Sequence, residues 1–109
     1  MASSPGGTER RKTTRYPCGR QTSGRVQTDQ TSMFLEGVLD LSRGGACLVV
    51  GSRLDLGTLV QLDLVNNLRN YNCQTAMQVL RVAEYPGDNF VVGGAFSTEL
   101  TDADVRELV

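Results

Sequence analysis

The sequence predicts an all-β domain: a six-stranded antiparallel β-barrel with a flexible basic N-terminal arm and a short C-terminal helix. Three observations lead to this prediction. Short extended segments are separated by turn residues, no internal repeat interrupts them, and a helical pattern occurs only near the end. A chain of 109 residues has room for one domain and a short tail. Closing six strands into a barrel also removes the exposed edges of an open sheet.

The first 19 residues lack the pattern of a strand. Residues 1–8 are rich in Ser and Gly and have almost nothing to bury, which predicts a disordered start. Residues 9–19 form a basic arm, and its first packing residues are expected at 16–18. We therefore expect one domain over residues 9–109, made of the arm at 9–19, a barrel over residues 20–97 and a helix over residues 101–109.

Six segments are predicted as strands: residues 20–28, 31–39, 46–50, 58–64, 71–85 and 90–96. The first is weak because it has few apolar residues. In the fourth, Val60, Leu62 and Leu64 alternate with polar residues, which is typical of a half-buried strand. The Asn-rich stretch 66–70 and the sequence Pro-Gly-Asp-Asn at 86–89 are predicted turns, because these residue types favour turn geometry.

The helix prediction depends on capping residues. Thr101 can cap a helix with Asp104 three positions later, and Leu100 can pack on Val105 as a hydrophobic staple. Nine residues are too few for a free-standing helix in water. The helix must therefore dock on the barrel or against a partner.

The composition excludes several classes of catalyst. The chain has no His and no Trp, so mechanisms that need imidazole, including Ser-His-Asp and Cys-His catalysis, are excluded. Its three cysteines form no CxxC pair, which disfavours a zinc site or a disulfide framework and indicates a reducing cytoplasm. Residues 1–20 contain no apolar signal segment and the longest apolar run has five residues, so we expect neither export nor membrane insertion.

The charge is distributed unevenly. Residues 1–25 carry six basic residues against one acidic residue, a net +5, whereas residues 26–109 carry five against eleven, a net −6. Such asymmetry is typical of a basic arm that meets an anionic partner. Ten of the eleven basic residues are arginine, whose rigid fork binds phosphate and guanine bidentately, although a GC-rich genome would produce the same bias.

Two segments combine residue types suited to binding a nucleotide. In the basic run Arg10–Arg15, arginine can bind O6 and N7 of guanine; the alternative is a solvated basic tail. The segment Asp40–Gly45 is predicted to end a strand in a tight polar turn. There, Gly44 and Gly45 would allow positive φ and the close approach of a ligand; the alternative is an ordinary hairpin turn.

Together, and in this order, the two segments resemble the signature of the PilZ domain family, which is RxxxR in an N-terminal arm followed by (D/N)xSxxG. The first motif is present as Arg11–Arg15, in the wider form ERRxxxR that starts at Glu9. The second is present as Asp40–Gly45. The resemblance extends from Glu9 to Val109 and includes the strand pattern and the C-terminal helix.

The resemblance implies a PilZ-like six-stranded barrel that acts as a non-catalytic bacterial receptor for the second messenger cyclic di-GMP. The ligand would lie between the RxxxR arm and the DxSxxG turn, and its signal would pass to a downstream protein that the sequence does not identify. No metal or resident cofactor is implied. The residues implied in ligand binding are Arg10, Arg11, Arg15, Asp40, Ser42, Arg43 and Gly45.

These residues have different implied roles. Arg11 and Arg15 would hold guanine edges and phosphates from the arm, and Asp40 with its turn would line the barrel side. Arg10 matches family members in which an additional arginine helps to hold an intercalated ligand dimer. Arg43 would reach either the ligand or solvent, and both alternatives stay open.

Two other functions are alternatives to this receptor. One is a degenerate PilZ-type scaffold that binds a protein and no nucleotide, which the presence of both motifs disfavours. The other is a nucleic-acid binder with a basic arm. The acidic barrel and the scarcity of aromatic residues for base stacking argue against it. An enzyme is not expected, because Asp40 is a lone turn carboxylate with no partner base nearby in sequence.

Overall fold

The computed structural model describes residues 14–109, which form one antiparallel sheet and one helix. The elements are β1 (Tyr16–Pro17), β2 (Thr22–Gln27), β3 (Ser32–Phe34), β4 (Gly37–Leu41), β5 (Gly45–Val50), β6 (Leu59–Asn66), β7 (Tyr71–Tyr85), β8 (Asn89–Phe96) and α1 (Asp102–Leu108). The predicted disordered start and Arg10 and Arg11 lie outside the described residues.

The sheet has eight strands in the order β1-β4-β5-β8-β7-β6-β2-β3. Every neighbouring pair is antiparallel. The all-β class is thus confirmed, but the six-stranded barrel is not. The described sheet is not closed, since its end strands β1 and β3 do not pair with each other. One additional strand, β1, lies inside the predicted arm, and the other comes from a division of the predicted strand 31–39.

That division occurs at Leu35 and Glu36, where the chain changes partners. The Leu35 N–H donates to the Gly24 carbonyl on β2 at 2.9 Å. The next N–H, that of Glu36, donates to the Val49 carbonyl on β5 at 2.8 Å. The segment predicted as one strand therefore pairs with β2 through β3 and with β5 through β4.

One hydrophobic core receives side chains from six strands and from α1. The predicted alternation in β6 is confirmed, because Val60, Leu62 and Leu64 are all buried. In β7, Met77 and Val79 are buried as well. The core thus follows the period-two pattern of the sequence.

The two predicted turns are confirmed. The Asn66 side-chain oxygen accepts the N–H groups of Leu68 and Arg69 at 2.9 and 3.1 Å, and Asn70 has a φ of 56°. In the second turn, Gly87 and Asp88 have φ values of 83° and 62°. Gly, Asn and Asp adopt this left-handed geometry at low cost, which is why the sequence marks these turns clearly.

Helix α1 forms as predicted and docks on the sheet. Thr101 and Asp104 complete the capping box, and Leu100, Val105 and Leu108 are buried. At its C-terminal end, the Leu108 carbonyl accepts hydrogen bonds from Thr22 Oγ1 on β2 at 2.6 Å and from Asn66 Nδ2 on β6 at 3.2 Å. Within residues 14–109, no helix is long and apolar enough to cross a bilayer.

Candidate functional site

Strand β1 places the end of the arm beside the second motif. Tyr16 lies opposite Leu41 and Pro17 lies opposite Asp40 in the antiparallel pair of β1 with β4. The Cys18 N–H continues this pairing by donating to the Leu39 carbonyl at 3.0 Å. The residues expected to pack first, 16–18, therefore form hydrogen bonds along the sheet edge.

This pairing brings together Arg15 and Asp40, which are 25 residues apart in sequence. Arg15 Nη1 lies 2.9 Å from Asp40 Oδ1, and the two side chains are 55% and 30% exposed. Exposed ion pairs contribute only about 0 to 1 kcal/mol, so this pair can open for a ligand at low cost. The guanidinium also keeps further N–H donors free for an anionic or carbonyl acceptor.

The Ser42 hydroxyl is engaged within the turn between β4 and β5. Its oxygen accepts the N–H groups of Gly44 and Gly45 at 3.3 and 3.1 Å, and its O–H lies 3.3 Å from the Gly45 carbonyl. The Ser42 N–H donates to the same carbonyl at 2.9 Å. Ser42 is buried, and these contacts correspond to the hairpin-turn alternative. Its hydroxyl thus holds the backbone of the second motif in shape.

Gly45 is explained by a close approach of two strands. A Cβ at this position would collide with the Gly94 carbonyl on β8. Among the described glycines, positive φ occurs at Gly24, Gly57 and Gly87. Gly44 and Gly45 therefore do not use the positive φ that glycine allows, and the packing of β5 against β8 requires the missing side chain at position 45.

Arg43 contacts the helix. Its Nε lies 3.6 Å from Asp102 Oδ1, and its carbonyl accepts the Leu100 N–H at 2.8 Å. The side chain borders a groove of about 470 Å³ between β1 and α1, which Tyr16 and Val105 also line. In this structure Arg43 therefore joins the second motif to α1, a role that the sequence prediction did not include.

A further basic residue, Arg81, faces the same surface. Strand register places Asp40 opposite Cys47, Cys47 opposite Gly93, and Gly93 opposite Arg81. The Arg81 guanidinium lies over Gly93, with Nη2 at 2.6 Å from the point that a Cβ of Gly93 would occupy. No sequence pattern indicates the outward position of Arg81, because a β-bulge between Val79 and Arg81 changes which β7 residues face outward.

The pKa of Cys47 reflects its surroundings on this surface. Burial raises the pKa of the thiol most, and the negative charge of Asp40 raises it further. The positive charges of Arg81 and Arg15 act in the opposite direction. Both guanidinium groups are thus close enough to act on one side chain that lies between them.

The described site offers cationic donors and one carboxylate. Within residues 14–109, no three His, Cys, Asp or Glu side chains cluster in a way that could hold a metal ion. The structure brings Arg15 and Asp40 together beside the turn of Ser42 and Gly45, and it directs Arg43 to α1. Such an arrangement suits the binding of an anion that also carries hydrogen-bonding groups.

Comparisons with known proteins agree with this fold. A sequence model of the PilZ domain family matches residues 9–109. The solved complex of K. pneumonia MrkH with c-di-GMP is similar, with a TM-score of 0.68, 15% identity, and coverage of 89% of this chain and 48% of that chain. The Bacillus subtilis inhibitor of motility MotI/DgrA has a TM-score of 0.67 and 16% identity over 89% of this chain and 47% of its own.

The chain thus spans about half the length of these solved proteins. At such low identity the structural likeness shows the fold alone. No curated protein matches the chain in sequence.

Proposed function

The chain belongs to the PilZ domain family, and on this premise we propose that it is a non-catalytic receptor for cyclic di-GMP. The observation that carries the proposal is the contact between Arg15 and Asp40 at 2.9 Å, because it joins the two signature motifs in space. The similar MrkH structure, which is a complex with c-di-GMP, supports the same ligand.

The proposed ligand fits the chemistry of these side chains. Cyclic di-GMP carries two phosphates, and each guanine presents acceptors at O6 and N7 and a donor at its exocyclic amine. Arg15 supplies the donors for the acceptor groups, together with Arg10 and Arg11 of the arm. Asp40 supplies acceptors for the guanine amine. Ser42 and Gly45 hold the turn that carries Asp40, and the signal leaves through a surface that a downstream protein reads.

Isothermal titration calorimetry with cyclic di-GMP tests the proposal directly, with GMP and linear pGpG as control ligands. We expect binding to cyclic di-GMP, and at least roughly tenfold weaker binding after Arg15→Ala, because a charge-assisted contact is lost. Arg69→Ala is the matched control, since this exposed arginine pairs with Glu107 of α1 and not with either motif. Absence of binding by the parent protein would refute the proposal and favour a scaffold that binds a protein.

The number of ligands bound per chain is proposed from the presence of Arg10. An arginine before RxxxR adds positive charge, which offsets the repulsion between two dianions held close together. We therefore propose two stacked ligands per chain. The titration endpoint measures this number, and Arg10→Leu is expected to shift it from two toward one. A parent endpoint of one would contradict the proposal.

The ligand is also proposed to order the arm against the sheet, because it bridges the arginines to the Asp40–Gly45 turn. Hydrogen exchange at the amides of Arg10 to Tyr16, measured with and without cyclic di-GMP, tests this step. We expect slower exchange in the complex. Equal exchange in both states would mean that the signal leaves through the sheet or α1 instead.

A further inference from the structure

Arg81 occupies a fixed place on the outer face of the sheet. Three atoms of its guanidinium, Nη2, Nε and Cζ, lie within 3.1 Å of the point where a Cβ of Gly93 would stand. Gly93 follows the core residue Val92 and so faces outward, yet it is buried beneath this guanidinium. The absence of a side chain at position 93 therefore lets the Arg81 group lie against the sheet surface.

The Arg81 guanidinium has no ion-pair partner among residues 14–109. The residue is exposed, so water solvates the charge in the free protein. Between Arg81 and the Arg15–Asp40 pair lies Cys47, which has a small side chain. An exposed cation of this kind is available to an anionic ligand.

The spacing matches a ligand with two charged halves. Gly93 is on β8 and Asp40 is on β4, and β5 lies between these two strands. Neighbouring strands are about 4.8 Å apart, so the guanidinium over Gly93 lies on the order of 10 Å from Asp40. A cyclic dinucleotide places its two nucleotide units side by side and can reach both ends of this surface.

We propose that Arg81 is a further ligand-binding residue, whose guanidinium forms the far end of the cyclic di-GMP site that begins at Arg15 and Asp40. This inference rests on the proposed function. Arg15 binds one nucleotide unit, and Arg81 donates to an acceptor of the other unit, a phosphate oxygen or the O6 and N7 edge of guanine. Gly93 acts as a positioning residue, because it lets the Arg81 side chain lie flat.

The first test is calorimetric titration of Arg81→Ala with cyclic di-GMP. We expect binding to weaken by roughly 10- to 30-fold, as for the loss of a charge-assisted hydrogen bond. Arg25→Ala is the matched control, because Arg25 is an exposed arginine on β2, outside the strands β4, β5, β8 and β7 of the proposed site, and its guanidinium lies over the Phe34 ring of β3. This control removes the same charge, and we expect its affinity to change by less than about twofold through screened electrostatics.

The second test moves the Arg81 side chain without removing it. In Gly93→Ala the new Cβ would meet the flexible end of Arg81, so the guanidinium must shift while the backbone stays in place. We expect binding to weaken by roughly 3- to 10-fold. In the double variant Arg81→Ala with Gly93→Ala, we expect no further loss beyond Arg81→Ala alone, because both changes act on one contact.

The outcomes separate this inference from the proposed function. If the parent protein binds cyclic di-GMP and Arg81→Ala binds equally tightly, the inference is wrong and the proposed function stands. If the parent does not bind, both are wrong. Urea unfolding of each variant shows whether it is folded, and a loss of affinity in a folded Gly93→Ala variant that retains Arg81 supports the inference.

Discussion

Replacement of Ser42 by Ala separates a role in folding from a role in ligand contact. In the structure this hydroxyl accepts two backbone N–H groups, those of Gly44 and Gly45, in the turn between β4 and β5. Alanine removes the hydroxyl acceptor but keeps the backbone hydrogen bond from the N–H of residue 42 to the Gly45 carbonyl, which is 2.9 Å long in the parent. The turn therefore keeps one hydrogen bond and loses its side-chain support.

The size of the stability loss in Ser42→Ala follows from the burial of the Gly44 and Gly45 N–H groups. Gly45 is buried, so its N–H is left without a partner, at a cost of about 1 to 3 kcal/mol. Gly44 is only half-buried, and its N–H can turn to water at a lower cost. We expect the free energy of unfolding to fall by about 2 kcal/mol. With a urea m-value of about 2 kcal/mol/M, the midpoint falls by about 1 M.

Urea unfolding followed by circular dichroism measures this change, with Ser32→Ala as the control because Ser32 is exposed on β3. The affinity for cyclic di-GMP is measured on the same proteins without urea, where the parent and Ser42→Ala are both folded. If Ser42→Ala unfolds at the parent midpoint yet loses ligand affinity, the reasoning is refuted. The hydroxyl would then contact the ligand directly.

Three further predictions follow from described contacts. Arg15→Ala is expected to change the free energy of unfolding by less than about 1 kcal/mol, because its pair with Asp40 is exposed; a larger loss in urea unfolding would contradict this. Thr22→Val is expected to lower the free energy of unfolding by about 1 kcal/mol, because the Leu108 carbonyl loses one of its two side-chain donors; an unchanged midpoint would show that Asn66 suffices. The hydrogen bond from Tyr71 to Asp104 raises the pKa of Tyr71 to about 12 and lowers the pKa of Asp104. The stabilisation that this hydrogen bond provides is therefore lost as pH falls through the lowered Asp104 pKa, and also as pH rises from 10 toward 12. In urea midpoints measured against pH, Tyr71→Phe is expected to remove the alkaline effect and to reduce the acid effect, because Thr101 also lowers the Asp104 pKa. Identical profiles for parent and variant would refute this assignment.

The parts of the fold that the sequence predicted are those set by local chemistry. The alternation of Val60, Leu62 and Leu64 marks a strand with one buried face, and Thr101 with Asp104 marks the start of a helix. These signals depend on neighbours within a few residues, so a single sequence contains them in full.

The parts that the sequence did not predict depend on pairing between distant segments. The change of partner at Leu35 and Glu36 requires β2 and β5 to be in place, and no residue type marks it. The outward position of Arg81 depends on the bulge next to it. For the site, the resemblance implied a ligand between the arm and the Asp40–Gly45 turn. The direct contact of Arg15 with Asp40 appears only once β1 pairs with β4, and the steric reason for Gly45 only once β8 is beside β5.

The open sheet has a consequence for the behaviour of the chain at high concentration. An open sheet exposes unpaired N–H and C=O groups at both ends, and long flat edges of this kind recruit other chains into aggregates. Here the two ends are the shortest strands of the sheet, β1 with two residues and β3 with three. Pro17 in β1 also lacks an N–H. Within residues 14–109, each end therefore presents only a short edge strand for pairing with another chain.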